Sequence, residues 1–132
     1  MRIFTDTNVL VSAFMTRGLC ADLFEIIVAE HELLIGEPVI TELKRILGKK
    51  FRAPAALIDR VEAELRLHTM IPRPRNPLKR PIRDKEDPLI VACALTGNAE
   101  IFVTGDQELL GLQTVHDMPI ISPRTCWQQL HD

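Results

Sequence analysis

Short segments rich in β-branched and aromatic residues alternate along this chain with longer segments whose apolar residues have helical spacing. The strand-like segments are Arg2–Thr5, Glu32–Ile35, Thr69–Ile71, Ile101–Val103 and Pro119–Ile121. A strand that is followed by a helix and then by another strand folds into a parallel βαβ unit. The alternation therefore predicts an α/β fold with a parallel sheet of about five strands.

The segments between these strands have apolar residues every three or four positions, which is typical of helices with one buried face. The predicted helices are Val9–Phe14, Ala21–Glu30, Val39–Leu47, Pro54 to about His68, Leu89–Leu95, Glu108–Gly111 and Pro123–Leu130. In the fourth of these helices, Leu67 is expected to face the core. Residues 72–81 contain four prolines and no periodicity, so they are predicted to form a surface loop.

Length and composition are those of an ordinary globular chain. A chain of 132 residues is expected to form a single domain, 1–132, with its own core. The net charge of −2 neither favours nor excludes a nucleic-acid partner. No apolar stretch approaches the roughly 20 residues of a membrane span. The three cysteines lack the spacing of a zinc or redox motif, which favours a cytoplasmic protein with reduced thiols.

Four acidic residues occupy positions where a strand ends or a helix begins. Asp6 and Asp106 follow predicted strands, Asp87 opens the helix before the fourth strand, and Glu42 lies on the helix after the second strand. Ligands of parallel α/β sheets bind beyond the carboxyl ends of the strands, close to the point where the strand order reverses. We expect the first and fourth strands to flank that point, which would bring Asp6 and Asp106 together.

Several carboxylates at one sheet edge repel each other unless a cation neutralises them. Oxygen ligands of this kind suit Mg²⁺ or Mn²⁺, and a bound metal can activate water against a phosphodiester. The sequence therefore predicts a metal-dependent phosphodiesterase site. Other interpretations remain open: Asp6 and Asp106 also fit helix N-caps, Asp87 fits a residue that favours the positive end of a helix, and Glu42 alone fits a solvated helix residue.

Further residues are candidates for supporting roles around the acids. Asn8 and Thr104 could orient a carboxylate, or could serve only the geometry of their turns, and Asp84 could assist Asp87. A basic stretch precedes the helix of Asp87 and is expected to bind a phosphodiester backbone, although such runs are more often solvated loops. The candidate backbone-binding residues in it are Arg73, Arg75, Lys79, Arg80 and Arg83.

Four segments in order resemble the motifs of the PIN domain family. They are IFTDTNVL at 3–10, PVITEL at 38–43, DKEDPLIVACA at 84–94 and VTGDQELL at 103–110, and the ending MPIISPR at 118–124 is frequent in bacterial members. The resemblance spans essentially the whole chain. It implies a three-layer α/β/α sandwich and a ribonuclease activity that depends on Mg²⁺ or Mn²⁺.

The resemblance also assigns roles to residues and implies partners. Asp6, Glu42, Asp87 and Asp106 match the acidic quartet of the family, which both binds metal and catalyses, and Thr104 matches a Ser/Thr position beside it. Many small bacterial and archaeal members are VapC-like toxins of type II toxin–antitoxin pairs. The resemblance therefore implies an RNA substrate, a cognate antitoxin and a homodimer.

The sequence departs from the family pattern at one position, and other functions are also compatible with the motifs. Other members commonly have adjacent acidic residues around this Asp, whereas here Asp87 follows Glu86 and precedes Pro88. The sequence therefore leaves open which acidic residue supports Asp87. A housekeeping RNA-processing nuclease would use the same chemistry without an antitoxin, and a binding module would dock RNA or protein without cutting. Phosphoryl transfer through Asp6 is disfavoured, because dehalogenase-like sites need a second Asp where this chain has Asn8.

Overall fold

Strands and helices alternate from the N terminus in the computed structural model, which describes residues 1–76 and 87–131 and, for Asp87, the backbone only. The strands are β1 (Arg2–Thr5), β2 (Glu32–Gly36), β3 (Thr69–Ile71), β4 (Ile101–Val103), β5 (Thr114–Val115) and β6 (Met118–Ile121). The helices are α1 (Thr7–Met15), α2 (Leu19–Glu30), α3 (Glu37–Lys49), α4 (Ala55–Leu65), α5 (Asp87–Thr96), α6 (Gln107–Leu112) and α7 (Pro123–His131). Every predicted strand and helix is present.

The sheet has the strand order β3–β2–β1–β4–β6–β5, and its first five strands in that order are parallel. Helices flank the sheet, which gives the predicted three-layer α/β/α arrangement. The order reverses between β1 and β4, because β1 pairs with β2 on one side and with β4 on the other. In that pair Thr5 lies beside Val103, so the two strands end level with each other.

Central strands of a parallel sheet are covered on both faces, and their side chains here are almost wholly apolar. Ile3 and Phe4 of β1 are fully buried, as is Phe102 of β4. The rings of Phe4 and Phe102 are stacked with their centroids 5.3 Å apart. Packing at the centre of the sheet therefore fixes β1 and β4 relative to each other just before the positions where the acidic residues follow.

A close approach at Gly36 sets the start of α3. A Cβ atom at this position would lie 2.8 Å from Sγ of Cys93 and 3.1 Å from Cζ of Phe4. A larger residue would push α5 and β1 away from the end of β2, since such distances are shorter than van der Waals contact. Glycine therefore allows α3, which carries Glu42, to begin directly at the sheet edge.

One strand was not predicted from the sequence, and one expectation about a core residue is corrected. The sheet has a sixth strand, β5, which pairs antiparallel with β6 across a turn at His116 and Asp117, both with positive φ. A strand of two residues is too short to show a periodicity in sequence. The prediction that Leu67 faces the core is wrong, because α4 ends at Leu65 and Leu67 lies in the following turn with 84% of its surface exposed.

All three cysteines are free, and Cys93 is fully buried in the core. Within residues 1–76 and 87–131, no helix combines the length and apolar character needed to cross a bilayer.

Candidate functional site

Asp6 is held where β1 passes directly into α1. Its backbone N–H donates to the carbonyl of Val103 (2.9 Å), which fastens the end of β1 to β4. Its side chain caps α1, with Oδ1 accepting a hydrogen bond from the backbone N–H of Thr7 (2.8 Å). The residue is only 3% exposed, so a carboxylate is buried at the carboxyl end of the central strand.

The hydroxyl of Thr104 links Asp6 to Asp106. Thr104 Oγ1 donates to Oδ2 of Asp6 (2.7 Å) and accepts from the backbone N–H of Asp106 (3.0 Å). Asn8 braces the same contact, because its Nδ2 lies 3.3 Å from Oδ2 of Asp6 and its Oδ1 accepts from the backbone N–H of Gly105 (3.0 Å). Asn8 and Thr104 therefore orient the loop after β4 against the end of β1.

Asp106 caps α6 in the way that Asp6 caps α1. Its Oδ1 accepts hydrogen bonds from the backbone N–H groups of Glu108 (2.8 Å) and Leu109 (3.1 Å). No described residue makes a hydrogen bond to its other oxygen, Oδ2. The N-cap interpretation is thus confirmed for both aspartates. The cap leaves Asp106 able to bind a ligand, because only Oδ1 takes part in the cap.

The electrostatic environment of Asp6 shows which other acids are near it. Burial raises the pKa of Asp6 from its ordinary value of 3.8 to about 6, and the negative charges of Glu42 and Asp106 raise it further. Hydrogen bonds from Thr104 and Thr7 act in the opposite direction. Two of the other predicted acids, Glu42 and Asp106, are therefore within electrostatic range of Asp6.

The fourth predicted acid, Asp87, is the first residue of α5, as expected for a residue that opens this helix. Its side chain is outside what the structure describes, so its place in the site stays a prediction. Asp84, Lys79, Arg80 and Arg83 also lie outside the described residues. Arg73 and Arg75 are described, and both are exposed on the segment that follows β3.

The donor set at this edge fits a hard divalent cation. Every acid brought together offers carboxylate oxygen, which Mg²⁺ and Mn²⁺ prefer. The raised pKa of Asp6 means that the hydrogen bonds from Thr104 and Thr7 compensate only part of the cost of burying its charge, and a cation would supply the rest. Among residues 1–76 and 87–131 no three potential ligand side chains are close enough to form a complete metal site.

Two cavities lie beside the acids. One, of about 290 Å³, is lined by Pro38, Thr41, Glu42, Arg45 and Arg73. The other, of about 260 Å³, includes Asn8, Ser12, Cys20 and Asp106 in its lining. Sequence reasoning missed Arg45, because an exposed arginine on an amphipathic helix has no feature that separates it from a solvated face. Its spacing of three residues from Glu42, within one helix, is the signal that could have found it.

The role of Thr104 can be tested by the Thr104→Ala substitution. We expect the pKa of Asp6 to rise above about 6, because the substitution removes the hydroxyl that stabilises its charged form. We also expect the free energy of unfolding near neutral pH to fall by about 1–2 kcal/mol, since buried hydrogen-bond partners are left unpaired. Carbon-13 NMR titration of the Asp6 carboxyl and urea unfolding measure the two effects. Thr104→Ser is the control and should retain both; an unchanged pKa in Thr104→Ala would contradict this role.

Comparisons with known proteins agree with this geometry. The family model described as PIN domain matches residues 2–108. Among solved structures, 21 chains match. One is from the crystal structure of VapBC2 from Rickettsia felis bound to a DNA fragment from their promoter. It has a TM-score of 0.64 and 16% sequence identity, and the match covers 92% of this chain and 98% of that chain. Another is PAE2754 from Pyrobaculum aerophilum, with a TM-score of 0.66 and 21% identity over 99% of this chain and 90% of that chain. Identities this low show a shared fold alone. No curated protein sequence gave a match.

Proposed function

Because this chain belongs to the PIN domain family, whose members are in general nucleases, we propose that it is a metal-dependent endoribonuclease and the toxin of a type II toxin–antitoxin pair. In this proposal residues 1–132 form a single PIN domain. The observation that carries the proposal is the meeting of Asp6 and Asp106 at the carboxyl ends of β1 and β4, with Glu42 of α3 within electrostatic range of Asp6. These three acids, called the acidic edge from here on, suit hydrolysis of a phosphodiester.

The proposed cofactor is Mg²⁺ or Mn²⁺, with Asp6, Glu42, Asp87 and Asp106 as the residues that would hold it. Such a cation supplies an activated water and stabilises negative charge on the reacting phosphate. The same four acids are the proposed catalytic residues. Their chemistry requires ionised carboxylates, and Asp6, with a pKa of about 6, is mostly ionised at neutral pH.

The chain prepares these carboxylates through its helix caps and through Thr104. Asp6 and Asp106 sit at the N-termini of α1 and α6, where the backbone N–H groups and the helix dipole favour negative charge. Thr104 and Asn8 fix Oδ2 of Asp6, which limits the rotation of its carboxyl group. The acids are therefore oriented before a substrate arrives, which is the main contribution that a protein makes to hydrolysis of this type.

The basic residues around the acidic edge are proposed to bind the RNA backbone. Arg73 and Arg75 are exposed on the segment after β3, and Lys79, Arg80 and Arg83 follow them in sequence. Contacts from arginine and lysine to phosphate give affinity without sequence selectivity, and the affinity falls as salt rises. Selection of a particular RNA would then depend on other contacts or on RNA shape.

A cognate antitoxin is the proposed protein partner. One of the solved structures with the same fold is a VapBC complex, which motivates the proposal. An antitoxin could neutralise the site by placing an arginine or lysine among the carboxylates, since a cation there would compete with metal. A homodimer and a cytoplasmic location are proposed on the same family grounds.

The test is cleavage of total RNA by the purified protein with Mn²⁺, with Mg²⁺ or with EDTA. We expect discrete fragments in the metal lanes and none with EDTA, and sequencing of the fragments would identify the target. Co-expression with the product of a small adjacent gene should suppress the cleavage. Cleavage without such a gene would favour a housekeeping nuclease. RNA binding without turnover in any metal would contradict the nuclease proposal and favour a binding module.

A further inference from the structure

One face of α3 and the segment after β3 enclose the cavity of about 290 Å³ beside the acids. Thr41 and Glu42 follow Pro38 by three and four residues, and Arg45 follows them by four and three, so all four share one face of α3. Val39, Ile40, Leu43 and Leu47 take the buried face. Arg73 closes the cavity from the other side, two residues after the end of β3.

The two arginines of this cavity differ from neighbouring basic residues because they have no acidic partner among residues 1–76 and 88–131. Lys44 pairs with Glu62 at 2.8 Å, and Arg66 pairs with Glu37 at 2.8 Å. Arg45 and Arg73 make no ion pair or hydrogen bond with any other residue in the part of the chain that the structure describes. Among the described residues that line the cavity, two guanidinium groups therefore accompany one carboxylate, that of Glu42.

The position of this charge relative to the acidic edge indicates what it binds. Glu42 lines the cavity, and its negative charge raises the pKa of Asp6, so the cavity adjoins the acids electrostatically. If one phosphate of an RNA strand lies at the acids, the next phosphate along the strand lies about one nucleotide away from them. Guanidinium groups bind phosphate oxygens through paired N–H donors, a geometry that lysine lacks.

We propose that Arg45 and Arg73 form a subsite for the RNA phosphate next to the one that is cleaved, with Arg45 as the residue that positions the strand from α3. The inference rests on the proposed ribonuclease function and deepens it. An acidic peptide could also meet two arginines. RNA is favoured because the cavity shares Glu42 with the acidic edge, so one strand could place one phosphate at the acids and the next phosphate at the two arginines.

The test measures binding of a fluorescent ten-nucleotide RNA of mixed sequence in EDTA, as a function of salt, to the full chain. Arg45→Ala is expected to weaken binding about 10-fold at low salt. It should also reduce the slope of log affinity against log salt by about 0.7, the value for one phosphate contact to a single strand. Arg73→Ala should do the same, and Arg45→Lys should retain the slope but not the full affinity, because it keeps the charge and loses the paired donors.

Arg60→Ala is the matched control, since it removes an exposed arginine from α4 that does not line the cavity. Equal affinity and equal salt slope for Arg45→Ala and Arg60→Ala would overturn the subsite. So would a ten-residue polyglutamate peptide whose binding depends on Arg45 more strongly than RNA binding does.

Cleavage assays with Mn²⁺ separate the subsite proposal from the ribonuclease proposal. RNA binding that depends on Arg45 without any cleavage retains the two arginines as a site for an RNA phosphate and rejects the nuclease. Cleavage that is unaffected by Arg45→Ala retains the nuclease and rejects the subsite.

Discussion

Replacement of Asp6 by asparagine is expected to reduce RNA cleavage by roughly 1000-fold, which corresponds to the several kcal/mol that a metal-supported charge contributes to a transition state. Asparagine has the same shape, so its Oδ1 can still accept from the backbone N–H of Thr7 and cap α1. It lacks the charge that a divalent cation needs. Initial rates at saturating Mn²⁺, for the wild type and the variant, measure the effect.

The matched control for this loss is Asp59→Asn, which removes an exposed carboxylate from α4 that is not among the charges that raise the pKa of Asp6. Its cleavage rate should stay within about twofold of the wild-type rate, because an isolated surface charge contributes little. Cleavage by Asp6→Asn at the wild-type rate would show that Asp6 only caps α1, and the proposed mechanism would be wrong.

The same residue should give the metal-free protein an unusual dependence of stability on pH. The pKa of Asp6 is raised in the folded chain to about 6 from 3.8, so between these values the folded state holds a proton that the unfolded state has lost. Stability therefore falls as pH rises through this range. The penalty is absent below about pH 4 and complete above about pH 6, where it reaches about 3 kcal/mol at about 1.4 kcal/mol per tenfold change in proton affinity.

Urea unfolding in EDTA from pH 4 to pH 7.5 tests this expectation when the wild type is compared with Asp6→Asn. Other groups, such as Glu32 and Glu62 whose pKa values are lowered by hydrogen bonds to Thr69 and Lys44, titrate in both proteins and cancel in the difference. The stability of the variant relative to the wild type should increase by about 3 kcal/mol across the range. If the difference in stability between the two proteins does not change with pH, the pKa of Asp6 is not raised by burial and this expectation is wrong.

Much of the fold was predictable because periodicity and strand chemistry act locally. The five parallel strands and seven helices follow from short β-rich segments and helical spacing, and the meeting of Asp6 and Asp106 follows from the strand order at β1 and β4. The PIN resemblance was confirmed by the match over residues 2–108. Metal and RNA binding by the predicted residues stay predictions.

The features that sequence reasoning missed depend on contacts between distant segments. The cavity that joins Arg45 to Arg73 exists only because α3 and the end of β3 are neighbours in space. The hydroxyl of Thr104 was a candidate from its position, but its two-sided hydrogen bonding between Asp6 and Asp106 required the pairing of β1 with β4. Leu67 was misplaced because the end of α4 is set by the turn into β3, which the apolar pattern does not mark.

The lengths of the outer strands bear on how copies of this chain can associate. The sheet ends in β3, of three residues, on one side and in β5, of two residues, on the other. Unpaired edge strands are the usual templates for aggregation by strand addition, and very short edges offer few free backbone groups for it. Crowding of many copies should therefore not extend the sheet from one molecule to the next, and a specific dimer of this chain would have to be built from helix surfaces.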